Sequence, residues 1–155
     1  MEVSDDLRAG EEIVPSSELS IASVSSEETA GEDGRAVNAI DGNPATFWHS
    51  RWSTPAAGYP HQITVDLGSP RPLTALRYLR RSVGTNGDIA DYDVLVSSDN
   101  ASWTKVASGT FPVGKGEAEV RFAPQGARYV RLEALTAANG LAFAAAAEIR
   151  PVVSP

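Results

Sequence analysis

The segment Asp41–Trp52, DGNPATFWHSRW, holds the most chemically loaded side chains of the sequence. Asp41, Asn43 and Thr46 supply hard oxygens around a glycine–proline bend, and Trp48 and Trp52 bracket His49 and Arg51. A hard cation such as Ca²⁺ takes about six to eight oxygens, many of them backbone carbonyls, around such a bend. The same residues also suit an Asx turn that bonds only to itself, and the EF-hand spacing is absent. Trp52 lies in a polar loop, SRWSTPAAGYP, with no strand pattern to bury it. Its indole either folds over a core edge or offers a flat face to the apolar side of a sugar ring. In the second case His49 and Arg51 are placed to hydrogen-bond hydroxyls.

Catalytic chemistry has little to build on. There is no cysteine, the only histidines are His49 and His61, and no G-x-S-x-G elbow occurs. Neither H-x-x-H nor H-E-x-x-H is present, so the histidines do not define a zinc site. No spacing singles out two carboxylates as an acid–base pair. His61, in YPHQITVD, opens a strand-like run and reads as a structural histidine with a backbone partner. A binding protein is expected rather than an enzyme.

These residues must be held by short strands. The runs HQITVDLG (61–68), PLTALRYLRR (72–81), ADYDVLVSSD (90–99), SWTKVASGTF (102–111), AEVRFAP (118–124) and ARYVRLEAL (127–135) have strand composition, and LSIASVSS (19–26) and LAFAAAAEI (141–149) have it more weakly. Alternation is plain in DYDVLVS, where Tyr92, Val94 and Val96 share one face. Turn signals separate the runs: GSPRP, GTNGD, SSDNAS, PVGKGE and PQGA. The run Ala144–Ala147 is too short for a stable helix and fits a strand whose small side chains let two backbones approach. One helical turn is expected, in GRAVNAID (34–41). The pattern predicts an all-β protein, an antiparallel β-sandwich or jelly roll.

At 155 residues the chain suits one domain with loose ends, large enough to form a core without disulfides. Residues 1–16 read as an unstructured linker, 17–150 as the domain and 151–155 as a tail. The net charge of −7 is uneven: residues 1–33 carry ten acids and one base, so the remainder is slightly basic. No basic stripe exists for nucleic acid. No apolar run reaches the ~20 residues of a membrane helix, and the first residues lack a signal-peptide pattern. Met1 followed by an acidic stretch suggests a piece of a longer polypeptide.

VNAIDGNPATFWHSRW, YPHQITVDLG, LRYLRR, NGDIADYDVLVSSDN, ARYVRLEAL and AAAAEI together resemble the F5/8 type C (discoidin) family, and more narrowly the bacterial carbohydrate-binding modules of family 32. The stretch SEETAGEDGRAVNAIDGNPATFWHSRWS is most similar to the galactose-binding modules of bacterial sialidases. The resemblance spans about residues 17–150 and implies a discoidin-like jelly roll. It also implies a structural Ca²⁺ held by backbone oxygens of Asn38, Asn43 and Ala147 and side-chain oxygens of Asp41, Thr46 and Glu148. It further implies a site for terminal galactose or N-acetylgalactosamine at Glu32, His49, Trp52, Arg81, Asn86 and Phe143. In that site His49 and Arg81 would donate, Glu32 and Asn86 accept, and Trp52 and Phe143 form walls.

The sequence departs from the family at two points. Phe143 stands where tyrosine is frequent, and Arg80 where many members have proline, so Arg80 and Arg81 are both candidates to face the sugar. The missing cysteines, and the lack of paired apolar loop tips, set the chain apart from animal discoidin domains. Membrane binding is therefore not expected. The implied protein is a monomeric binding module within a larger secreted bacterial glycosidase. The rival readings are a discoidin-type adhesion or lipid- or protein-binding domain, and a small hydrolase on the same sandwich.

Overall fold

The structure is a computed structural model and describes residues 7–155. Nine strands follow in order: β1 (Glu12–Ile13), β2 (Ser20–Val24), β3 (Trp48–His49), β4 (His61–Leu79), β5 (Asp91–Ser97), β6 (Thr104–Thr110), β7 (Glu117–Ala134), β8 (Ala145–Ala146) and β9 (Glu148–Val153). The helical turn expected before Asp41 is a 3-10 turn at Ala36–Ile40. Every strand pairing is antiparallel.

Two strands are much longer than their sequence suggests. β4 joins the runs HQITVDLG and PLTALRYL across the GSPRP turn signal, and β7 joins AEVRFAP and ARYVRLEA across PQGA. Residues 63–66 of β4 pair with β2, and residues 61–66 with 129–134 of β7; residues 73–79 pair with β9 and with 117–125 of β7. Between these halves the register shifts, near Gly68 at φ +85°. Glycine and proline here bend two paired strands together instead of reversing the chain, as bulges do at sandwich corners. The sheet path β1-β9-β4-β7-β5-β6, with β2 on β4, therefore folds over itself. Ile63, Val65, Val94, Val96, Val130 and Leu132 of one half share a single core with Leu73, Leu76, Tyr78, Val120, Ile149 and Val153 of the other.

The ends differ from expectation. The predicted linker and tail are largely structural: Glu12 and Ile13 pair with Val153 and Val152, and Val14, Val152 and Val153 are 2%, 0% and 2% exposed. Residues 1–6 of that linker lie outside the described residues. Two-residue strands leave little trace in a sequence, because tertiary pairing rather than propensity creates them. Part of the acidic front is neutralised by the body. Arg121 grips Glu11 through both Nη atoms at 3.0 and 2.8 Å and holds its carboxyl down at about 2. Arg71 pairs with Glu12 and Glu18.

The alanine run does bring backbones together. Ala144–Ala147 are 0–1% exposed, and β8 pairs with β3, setting Ala146 opposite Trp48 and Ala145 opposite His49. On the other side the Ala145 amide donates to Gly87 at 2.8 Å, and a Cβ added at Gly87 would lie 2.5 Å from that of Ala145. Tyr78, 0% exposed, donates its hydroxyl to the Ala145 carbonyl at 2.8 Å.

A chain ending at Arg150 is expected to fold poorly. It loses Val152 and Val153, each worth roughly 1.5–3 kcal/mol of burial, together with the partner of β1. Urea unfolding checks this, and an unchanged midpoint would show that the tail is dispensable.

Candidate functional site

The site begins with an acid whose role the sequence did not reveal. Glu28 is 0% exposed, and its carboxylate accepts four backbone N–H groups. Oε2 takes those of Ala30 (3.0 Å) and Gly31 (2.7 Å), and Oε1 takes those of Trp52 and Ser53 (both 2.9 Å). Burial pulls this carboxyl upward, but the amides of Gly31, Ser53 and Trp52 outweigh it and hold the pKa at about 2. The backbone adds Glu28 N–H to His49 O (2.8 Å), Gly34 N–H to Glu28 O (2.8 Å) and His49 N–H to Gly34 O (3.0 Å). Loops 28–34 and 49–53 are thereby one unit.

That unit seats Trp52. Its ring lies against Gly31 so closely that a Cβ there would fall 2.1 Å from Cη2. The indole N–H donates to Glu32 Oε2 at 2.8 Å, while the side chain remains 40% exposed. Trp48, by contrast, is 1% exposed and ties its indole to the Ser26 carbonyl.

The six residues expected to form a sugar site, Glu32, His49, Trp52, Arg81, Asn86 and Phe143, together line one cavity of about 330 Å³. Arg81 lies over the Phe47 ring at 4.4 Å and donates to the Asn86 carbonyl at 3.0 Å. Arg80 faces elsewhere, donating to the Gly114 carbonyl. Arg51, a candidate from the sequence, donates to the Pro55 carbonyl and does not line the cavity. Phe143 packs 5.5 Å from His49. The backbone of the 142–143 segment is held from beneath: Tyr59 donates to Phe143 O at 2.5 Å, and His61 Nε2 to Ala142 O at 2.6 Å. His61 is thus the structural histidine expected.

Two hydrogen-bonding roles are the reverse of those expected. His49 Nδ1 faces the Ser50 carbonyl at 2.7 Å and must carry the proton. Burial pulls its pKa below the ordinary value, against the raising pull of that carbonyl and Glu32, so the ring is neutral and Nε2 is an acceptor. In Asn139, Oδ1 accepts the Leu141 amide, which makes Nδ2 the donor to Asn86 Oδ1 at 3.0 Å. Asn86 therefore has its Nδ2 donor left for a ligand. The cavity offers donors from Arg81 and Asn86 and acceptors from His49 and Glu32.

The oxygen-rich loop forms a second cluster. Thr46 Oγ1 lies 3.0 Å from Asn43 O, 3.5 Å from Asn38 O and in a short contact with Asp41 Oδ2. One hydroxyl proton cannot serve three acceptors. The Asx bonds are also present, from the Asn43 amide to Asp41 and from the Ala45 amide to Asn43. Glu148 is 5% exposed and its Oε2 is buried without a partner. Burial first, then the charge of Asp41, pushes its pKa up to about 7. Ala147 beside it is 1% exposed. Among the described residues no three His, Cys, Asp or Glu side chains cluster as a metal site. Asp41, Glu148, Thr46 and the neighbouring carbonyls are hard oxygens of the type a hard cation would take as ligands.

Glu28 has a folded pKa near 2 against an ordinary 4.5, so its contribution to stability is complete above pH 4.5 and is lost as pH falls toward 2. Glu28→Gln is expected to be less stable at neutral pH and to show a flatter decline across that window. Thermal midpoints at stepped pH test this, and parallel wild-type and variant profiles would count against it.

Comparison with known proteins places this arrangement. The F5/8 type C domain family matches residues 21–149. A sialidase of Micromonospora viridifaciens is 47% identical over 133 residues, covering 84% of this chain and 21% of that protein. A galactose oxidase of Gibberella zeae is 37% identical over 124 residues, 77% of this chain and 18% of that one. The chain thus spans only a small part of the curated relatives it matches. A Clostridium perfringens CBM32 module solved with GalNAc-β-1,3-galactose superposes with a TM-score of 0.84 at 31% identity, covering 90% of this chain and 99% of the other. The family 32 module of C. perfringens NanJ, solved with galactose, gives 0.80 at 33% identity over 92% and 98%. Among the described residues no helix is long and apolar enough to cross a membrane. The chain belongs to the F5/8 type C domain family, as a non-catalytic module of the family 32 carbohydrate-binding kind.

Proposed function

We propose that the 330 Å³ cavity holds a terminal galactose or N-acetylgalactosamine residue and that the module carries a larger secreted bacterial glycosidase to glycans. The observation that carries this reading is the convergence of Trp52 and Phe143 with a hydrogen-bonding set whose polarity is fixed: two donors and two acceptors around one cavity. A site that pairs with a particular hydroxyl rejects the epimer that leaves its polar groups unpaired. The galactose and GalNAc-β-1,3-galactose complexes of the structural relatives support the choice of sugar. Such an open site binds weakly, with dissociation constants of ~0.01–1 mM, and the parent enzyme gains through effective concentration at a glycan surface.

Calorimetry with galactose, N-acetylgalactosamine and glucose tests the reading. Saturable binding of either galacto-sugar but not glucose is expected, with at least a ~10-fold loss in His49→Ala or Trp52→Ala. Gly31→Ala, which unseats the indole, should lose affinity similarly. Affinity should hold steady at neutral and higher pH and fall below the ordinary histidine range, where protonation of His49 removes its acceptor. Absence of galacto-sugar binding would refute the proposal.

The oxygen cluster is read as a structural Ca²⁺ site, with Asn38, Asn43 and Ala147 giving backbone oxygens and Asp41, Thr46 and Glu148 side-chain oxygens. The ion would relieve the unpartnered Glu148 oxygen and stabilise the fold by binding the native state. Chelation should lower the thermal midpoint and Ca²⁺ restore it. A midpoint indifferent to both would eliminate the site.

One observation favours a second reading. Val83 and Leu141 are 77% and 49% exposed, on the loops that also supply Arg81 and Phe143. Co-sedimentation with phospholipid vesicles separates a lipid-binding discoidin module from the sugar-binding one.

A further inference from the structure

Arg80 turns away from the first cavity into a second, of about 540 Å³, between the end of β6 and the start of β7; the two share no lining residue. Its guanidinium belongs to a side chain only 5% exposed. Nη1 donates to the Gly114 carbonyl at 2.5 Å, Nε is buried without a partner, and among the described residues no carboxylate pairs with it.

The acids nearby bond to other cations. Glu119 receives Arg121 Nε at 2.8 Å and Arg77 Nε at 2.9 Å, one on each oxygen. Both Glu117 oxygens are taken by Arg150, at 2.7 and 2.6 Å. Asp88 accepts Lys115 Nζ on Oδ2 at 2.8 Å, while its Oδ1 is buried without a hydrogen bond. Arg77, 0% exposed, makes no hydrogen bond through its Nη atoms, but Nη1 pairs with Glu117 Oε1 at 3.6 Å. Among the described residues, Arg80 therefore has no carboxylate in direct contact, although Glu117 and Glu119 line the same cavity. The same cavity has an apolar lining: Tyr92 and Phe111 stack at 4.1 Å, joined by Pro112 and Val113.

A buried, unpaired cation is unfavourable, and the group that fits a guanidinium fork is a carboxylate. We propose that this second cavity binds a small organic acid with a ring, its carboxylate on Arg80 and its ring against Phe111 and Pro112. The inference does not depend on what the first cavity binds.

The test is an NMR titration of the intact, galactose-free protein, following the Arg80 Nε–H signal and the amides of residues 113–115. Glucuronate and benzoate supply a carboxylate on a polyol ring and on an apolar ring; glucose and acetate are the controls. Saturable shifts with a ring acid, at least ~10-fold weaker with either control, are expected. The responding acid identifies the kind of ring. Arg80→Gln should abolish the response, and Arg80→Lys, which keeps the charge without the fork, should weaken it. If Arg80 Nε–H stays unmoved by both acids, or glucose shifts it equally, the proposal is overturned; this readout needs no variant to fold.

Discussion

One wall of the candidate site, with Glu32, His49 and Trp52, depends on one hidden carboxylate. Glu28 gathers the amides of residues 30, 31, 52 and 53 around a single buried charge. A charge removed from water is tolerated only where donors replace its hydration. The four amides do so, and in return their loops are fixed to one another. Glu32, Trp52 and His49 come from loops with no regular structure beyond a two-residue strand. Their precision comes from this electrostatic knot rather than from the sandwich beneath.

The sandwich supplies the opposite wall. The bend shared by β4 and β7 lets one pair of strands serve both halves of the core. The ends of those strands, together with β8, bring residues 80–87 and 142–147 beside the Glu28 unit. Gly87 against Ala145 is the tightest point of that junction. Both approaches rest on missing side chains: no Cβ at Gly31 lets the indole lie down, and none at Gly87 lets the Asn86 loop reach β8.

Legibility in the sequence followed the range of the interaction. Strand faces were plain because alternation is local, as at Tyr92, Val94 and Val96. The six cavity residues could be named from a family resemblance, whereas their chemistry alone left Trp52 between core edge and ligand wall. Glu28 was invisible, one acid among several in SSEETAGED, since nothing local tells a buried carboxylate from a solvated one. The polarity of Asn86 was hidden for the same reason, being set by Asn139, 53 residues away; that of His49 turns on which ring nitrogen faces the neighbouring Ser50 carbonyl. Gly68 and the neighbouring prolines announced a change of direction without saying that a paired strand would follow it. Glu12–Ile13 and Val152–Val153 form strands only because each finds the other.

The run Ala144–Ala147 separates Phe143, on the rim of the first cavity, from Glu148, in the oxygen cluster. With no side chain larger than a methyl and almost no exposure, it has neither room to bulge nor solvent to bulge into. Only Ala145–Ala146 are strand, paired with β3; at Ala147 the chain bends and passes into β9 of the large sheet. The length of the run cannot be adjusted by small amounts: buried on all sides, it has no room for an added residue without displacing the aromatic ring or the carboxylate. The two clusters are therefore coupled through this run, and a displacement at one end is carried to the other.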